Sequence, residues 1–391
     1  MRECESAAVD DRFAQWPRGP ARAVLAAFSA LFIAAMLVPI SAGGQLVPQV
    51  GLVAILHGDP AISAAMLPPR DPDLVLYDRV IERIGRGEDY YHAATAEHRA
   101  GNYPLRPGVA VRLPTLAYLD AWLGPIGQST AASVLLLAVL WAWWRRLGDE
   151  LPDTPAGAQH RRIGTALMFF GGSLGLNRSF FVLHELWAGM LLALALGLHR
   201  PGRQWAGSLA VAALALAIRE HALPFVLLMA ALAAWRRAWP EALAWAALIV
   251  AFGVVLAWHL QLVAQHVVPG DPVGPSWLAV RGLSGWLSAV ALSSNLRVLP
   301  HFVAGPLVLL MVLGWAGWRS SAGAAATLLF LGYGLALMIA GRPNNFYWGA
   351  VIAPAMFIGL AFAPRALASL WASARGQTMG LAGQVGDLVV R

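Results

Sequence analysis

Between residues 70 and 91 the chain reads RDPDLVLYDRVIERIGRGEDYY, a stretch dense in carboxylates, arginines and tyrosines. A carboxylate within hydrogen-bond reach of a hydroxyl can take its proton and make it a nucleophile, typically worth about 10²–10⁴-fold in rate. Asp73, Asp78, Glu88 and Asp89 are the candidates for such a base, with Asp59 in LHGDP a more distant one. Guanidinium groups supply the complementary chemistry, a planar two-donor fork for an anion. Arg342 in GRPNNFYWG stands beside the neutral donors Asn344, Asn345 and Tyr347, and Arg219 opens REHALPF. Glu185, next to His184 in VLHELWAG, could join Asp73 in holding a divalent cation, although hard cations need several converging oxygens. Each group also has a plainer reading. Asp73, just beyond Pro72, is placed to cap a helix; Arg342 could hold the last carbonyls of its own helix; Arg219 and Glu220 could form an ion-paired helix cap.

The elements that must carry these groups are apolar. Hydrophobic residues make up 58% of the 391, charged residues only 13%, and the mean hydropathy is +0.60, far from the balance of a soluble domain. The composition predicts an all-α polytopic membrane protein. All 28 basic residues are arginine and give a net charge of +7; in such chains basic residues mark cytoplasmic helix ends, and no nucleic-acid partner is expected. Cys4 is the sole cysteine, so neither an internal disulfide nor a thiolate metal site can form. No Walker A motif, dinucleotide fingerprint or H-E-x-x-H occurs.

Residues 1–22, with Glu3, Glu5, Asp10 and Asp11, are too acidic for a secretory leader and are expected to be a cytoplasmic tail. Arginines then recur at alternate breaks: Arg18 and Arg22; Arg145, Arg146, Arg161 and Arg162; Arg200 and Arg203; Arg236 and Arg237; Arg319; Arg365. Helices threaded between them by bilayer length fall near 23–44, 129–147, 163–181, 186–199, 204–218, 222–239, 241–266, 297–318, 321–341 and 346–363, about ten spans in one transmembrane unit, 23–366. Residues 367–391 form a second cytoplasmic tail. The outer face receives the 45–128 loop, NRSFFVLHE, REHALPF, the 267–296 loop and GRPNNFYWG. Within the first of these, Leu74, Tyr77, Val80, Ile81 and Ile84 recur at helical spacing opposite Asp78, Arg79, Glu82, Arg83 and Arg86, predicting an amphipathic helix on the membrane surface. Ionisable groups at membrane depth are costly and tend to mark a substrate path; as single clusters, solvated helix ends explain them equally.

The order of these parts resembles the GT-C superfamily of glycosyltransferases, multispanning enzymes that use polyprenyl-phosphate sugars and include protein O-mannosyltransferases, the aminoarabinose transferase of lipid A and mannosyltransferases of phosphatidylinositol mannosides. Asp73 and Tyr77 match the D-x-x-x-Y of the family's first outer loop, with Leu74 where Glu is frequent; Tyr103, Pro104 and Pro107 in YPLRPGVAVRLP are similar to the proline-rich turn that follows. Glu185 stands where the family places an acid before the fourth span. Arg342 to Tyr347, with Pro354 beyond, resembles the basic last outer loop. The likeness spans most of the chain through short motifs.

The resemblance implies transfer of a sugar from a polyprenyl-phosphate donor to a hydroxyl of a lipid, glycan or protein acceptor, with inversion. It assigns Asp73 as the base. Tyr77, Arg106, His184, Glu185, Arg219, Arg342, Asn345 and Tyr347 are then expected to contact substrate, Arg342 meeting the leaving phosphate. No cofactor is certain; a divalent cation is a possible one. The setting implied is a bacterial plasma membrane, among membrane lipids, with the site facing the periplasm. A transporter or flippase for a lipid-linked sugar, or a non-catalytic subunit of an envelope assembly complex, are the other classes compatible with outward-facing charge.

Overall fold

The computed structural model describes residues 11–42 and 70–377; the acidic segment 1–10 with Cys4, the part of the first loop that holds His57 and Asp59, and residues 378–391 lie outside the described residues. What is described is helical, without a named strand. The order is α1 (Arg18–Leu37), α2 (Pro72–Gly85), α3 (Tyr90–Ala100), α4 (Thr115–Glu150), α5 (Pro155–Gly172), α6 (His184–Leu198), α7 (Ala206–Ile218), α8 (Leu223–Trp235), α9 (Trp239–His266), α10 (Gly282–Leu292), α11 (His301–Gly317), α12 (Ser321–Ile339), α13 (Ala353–Met356) and α14 (Gly359–Arg375).

Among the described residues, α1, the segment 108–150 containing α4, α9 and α12 are long and apolar enough to cross a membrane. Five further helical segments are apolar but only 10–17 residues long. Side chains on the long helices turn outward: Val250, Val254 and Trp258 of α9 are exposed at every fourth residue, and 17% of its most apolar stretch is buried inside the protein. Exposed apolar stripes of this kind suit a lipid surround, as expected of a multi-pass membrane protein.

The sequence-derived spans differ from the helices in particular places. The second begins at Thr115 instead of 129, because Gly124 takes φ +61° ahead of Pro125 and joins two helical pieces through a kink; glycine tolerates that φ and proline donates no backbone hydrogen bond. The expected 267–296 loop contains α10, buried over most of its length. The expected span 346–363 is instead a 3₁₀ segment at Pro343–Val351, the single turn α13, and the start of α14. Helix α14 continues to Arg375 and packs against α1 and α11, so the expected tail boundary at 367 falls inside a helix.

Helix α2 has the predicted amphipathicity, but its apolar face meets protein. Val80 and Ile84 share a cluster with Tyr90, Leu105, Val111, Ala117 and Val263, while Arg83 binds Glu88 at 2.5 Å and Glu97 at 2.8 Å to lock α2 onto α3. Asp71, rather than Asp73, caps α2, its carboxylate accepting the Asp73 N–H at 2.9 Å. The Asp73 side chain is thereby left to face elsewhere.

Helix α6 is buried almost throughout and forms the hub. Its end holds a second polar network, with Arg146 bound to Glu150 at 2.6 Å and His199 to Glu241 at 2.7 Å. Its start holds the candidate site, about 22 Å away at 1.5 Å per residue. Gly189 in α6 lets the 3₁₀ segment lie against it, since a Cβ there would sit 2.0 Å from the Ala350 carbonyl oxygen. Gly189→Val is therefore expected to destabilise the protein by about 1–3 kcal/mol through overpacking, measurable as a lowered midpoint of thermal unfolding in detergent.

Candidate functional site

Five separated segments converge at the start of α6: the first turns of α2, the residues ahead of α4, α6 itself, the α7–α8 turn and the 3₁₀ segment 343–351. Arg112, which the sequence reading passed over, is their common partner. Its position is set by Tyr90, whose hydroxyl donates to the Arg112 carbonyl at 2.6 Å. The guanidinium is nearly enclosed, 9% exposed. Its Nε donates to the Tyr77 hydroxyl at 2.9 Å, its Nη2 to the Tyr347 hydroxyl at 3.5 Å, and Nη2 lies 3.6 Å from Glu185.

Glu185 is held from the other side by Arg219, whose Nε donates to it at 2.8 Å. Arg219 also donates to Glu220, and His221 stands 4.0 Å from Glu185 and 3.7 Å from Glu220. The His221 ring rests on Trp348, centroids 4.6 Å apart, and Tyr333 donates to its backbone carbonyl. Two guanidiniums thus bracket two carboxylates, a pairing that offsets the cost of burying either sign alone. Arg219 and Glu185 are each 1% exposed by side chain, too enclosed to meet substrate directly; they hold the frame.

The Tyr347 hydroxyl carries the frame out to Asp73. It donates to Asp73 at 3.3 Å and accepts from Asn345 Nδ2 at 3.2 Å. Asn345 in turn accepts the Arg342 backbone N–H at 3.1 Å. Burial and the neighbouring Asp71 charge raise the Asp73 carboxyl above the usual range, outweighing the opposing pull of Tyr103, Arg112 and Tyr347.

Asp73, Tyr77 and Tyr347 line a cleft of about 790 Å³ including its open mouth. Its remaining wall is largely apolar, with Leu174, Phe180, Leu183, Leu186 and Leu292. Arg297 also lines it, its guanidinium 5.4 Å from the centre of the Phe180 ring, and among the described residues it makes no ion pair. Arg297 stands at the first residue of the expected span 297–318, where no motif singled it out.

The other expected site residues divide. His184 is adjacent, its ring 5.3 Å from that of Tyr77. Among the described residues, Arg342 is linked to the cleft through its backbone and Asn345; its side chain does not line the cleft, and its Nε is buried without a hydrogen-bond partner there. Arg106 lines neither this cleft nor the smaller cavity behind it; it is exposed and donates to the Val268 carbonyl at 3.3 Å, fastening the first loop to the segment after α9. Asp78 pairs with Arg70 at 2.5 Å, and Asp89 caps α3. Glu185 does not suit a cation site with Asp73, because two guanidiniums occupy its surroundings; among the described residues no three carboxylate, imidazole or thiolate groups converge.

No family model, curated protein or solved structure matches this chain. The cleft places a carboxylate held by a tyrosine at one wall and, at another, a guanidinium that makes no ion pair among the described residues.

Glu185→Gln removes the charge between Arg219 and Arg112. A cost of about 3–5 kcal/mol is expected, the penalty for breaking a buried pair, and chemical unfolding in detergent would measure it. Arg106→Ala, at the exposed loop contact, should cost under about 1 kcal/mol in the same assay.

Proposed function

We propose that the protein is an integral-membrane glycosyltransferase that moves a sugar from a polyprenyl-phosphate donor to an acceptor hydroxyl, with Asp73 as general base. The observation that carries this reading is the freedom of Asp73: Asp71 performs the capping, so the Asp73 carboxylate lines the cleft with the Tyr347 hydroxyl as its hydrogen-bond partner. The acceptor hydroxyl loses its proton to Asp73 as its oxygen attacks the anomeric carbon; the bond from that carbon to the phosphate oxygen breaks, and the phosphate departs with the electron pair. Attack from the face opposite the leaving group inverts the anomeric centre.

The cleft supports the donor's chemistry. Apolar side chains suit an isoprenoid chain, and Arg297 offers a two-donor fork to a phosphate that gains charge as the bond breaks. Arg297 takes the role that the sequence suggested for Arg342. Asp73, Tyr77 and Tyr347, on which the GT-C resemblance rests in part, meet at this cleft, whereas Arg342, also part of that resemblance, does not line it. The corresponding setting is a bacterial plasma membrane with the cleft opening on the periplasmic side, opposite the end of α6 where Arg146 and Arg200 lie.

The purified protein, given a radiolabelled polyprenyl-phosphate sugar and membrane acceptors, is expected to transfer label. Asp73→Asn should lower transfer by about 100-fold or more at unchanged abundance, since burial of this carboxylate already opposes its charged form. Label that crosses vesicles without transfer would favour a flippase, and full transfer by Asp73→Asn would remove Asp73 from the chemistry. The raised pKa has a signed consequence: the base is lost as pH falls through a value above the ordinary 3.8. The acid limb of the rate profile should accordingly lie above that of an exposed carboxylate. Arg297→Leu is expected to weaken donor use by about 10-fold or more, the worth of a charge-assisted hydrogen bond, and Arg342→Leu by less; donor titrations of both variants compare them.

A further inference from the structure

Far along α4 from the cleft, one face of the helix changes from hydrocarbon to charge. Val134, Leu137, Trp141, Trp144, Arg145 and Gly148 recur at spacings of three and four, which puts them on one face. The four apolar members are exposed. Arg145 stands about 30 Å beyond the kink at Gly124 at 1.5 Å per residue, close to the thickness of a bilayer's hydrocarbon.

Arg161 reaches this face from α5 and is held there by three contacts. Its guanidinium carbon lies 3.8 Å from the centre of the Trp144 ring, a cation–π stack. Its Nε donates to the Trp144 carbonyl at 2.9 Å. It also fills the notch left by Gly148, where a Cβ would sit 2.7 Å from the guanidinium carbon. Nε is thereby used, while neither terminal nitrogen has a hydrogen-bond partner among the described residues. Arg145 lies over the Trp141 ring at 5.8 Å. Among the described residues neither arginine makes an ion pair. The carboxylates at this end of α4 are engaged elsewhere, Asp149 by Arg200 at 2.8 Å and Glu150 by Arg146 at 2.6 Å. Asp153, exposed in the turn between α4 and α5, pairs with neither arginine.

Tryptophan and arginine at helix ends are common interface anchors. A guanidinium already immobilised with its terminal donors free goes further, because it can meet an anion with little additional ordering. The geometry points to a binding site for an anionic phospholipid, its phosphate on the terminal nitrogens of Arg161 with Arg145 beside it, and its acyl chains along Trp141, Leu137 and Val134. Basic pockets between membrane helices take headgroups of this kind. The apolar row favours a lipid over a soluble phosphate, which would leave it uncovered. A zwitterionic lipid offers the same chains, but its ammonium adds positive charge beside two unpaired guanidiniums. The site is separate from the proposed sugar transfer and does not depend on it.

Thermal unfolding of the full-length protein tests this, in detergent micelles doped with phosphatidylglycerol or with phosphatidylcholine of the same acyl chains. Three variants are compared with wild type, each referred to its own lipid-free unfolding temperature. Arg161→Gln removes the fork. Gly148→Ala keeps every charge and pushes the Arg161 guanidinium from its notch. Arg237→Gln removes one exposed charge from the α8–α9 turn, outside this face. Wild type is expected to be stabilised more by phosphatidylglycerol than by phosphatidylcholine. Apparent affinity for phosphatidylglycerol should fall about tenfold or more in Arg161→Gln, the worth of hydrogen bonds to a charged group, fall also in Gly148→Ala, and stay unchanged in Arg237→Gln. Equal losses in Arg161→Gln and Arg237→Gln would show attraction to net charge alone and overturn the site. A wild-type response in Gly148→Ala, equal stabilisation by the two lipids, or stabilisation by inorganic phosphate as strong as that by phosphatidylglycerol would each contradict it as well.

Discussion

A guanidinium can be enclosed in an apolar helical bundle only if carboxylates and hydroxyls come with it, and that requirement organises one end of this molecule. Arg112 and Arg219 are both buried, and between them they engage Glu185, Glu220, Tyr77 and Tyr347. Those partners arrive from four different parts of the chain. Desolvation makes each arginine costly by itself, while the shared array satisfies both. The helices are thereby obliged to meet at one place, and Asp73 is attached to that place through Tyr347.

Irregular backbone does much of the positioning. The Pro343–Val351 segment is 3₁₀ rather than α, with Asn345 and Gly349–Val351 buried, where neighbours can meet their backbone groups. Close approach to α6 at Gly189 and to α10 at Gly349 fixes its depth, and so fixes the height at which Tyr347 reaches Asp73. The kink at Gly124 lets the chain leave α3, place Arg112 and Asp120 beside the site, and then continue as a long apolar helix. The candidate site lies where the helices break, and the unbroken stretches supply the apolar surround.

Much of this plan was legible in the sequence. Composition identified a helical chain with several helices apolar enough for a membrane, and the period of α2 put Leu74, Val80 and Ile84 on one face. Asp73, Tyr77 and Tyr347 were legible through spacing and resemblance. Less legible were groups whose importance comes from tertiary pairing. Arg112 sits in AVRLP, where it reads as one more loop arginine; its signal was the one noticed at Arg342, a basic residue in a segment expected on the outer side. Asp120 is a lone acid in LDAWLG, ahead of the apolar run, and only burial shows that its carboxyl has no hydrogen-bond partner among the described residues. Arg297 was hidden because it opens the expected span 297–318 with no motif around it. Arg106 misled for the opposite reason: it lies within the matching turn, but the turn directs it to the segment after α9.

The central claim is spatial: an acid from the first loop and a tyrosine from near the chain's end share one site. Cysteines introduced at positions 73 and 347 in a Cys4→Ser background, treated in native membranes with a short membrane-permeant bis-maleimide, test it most directly. The account predicts an intramolecular cross-link, read as a joined peptide pair by mass spectrometry, that polyprenyl phosphate suppresses. Two cysteines that each label singly but never join would contradict it.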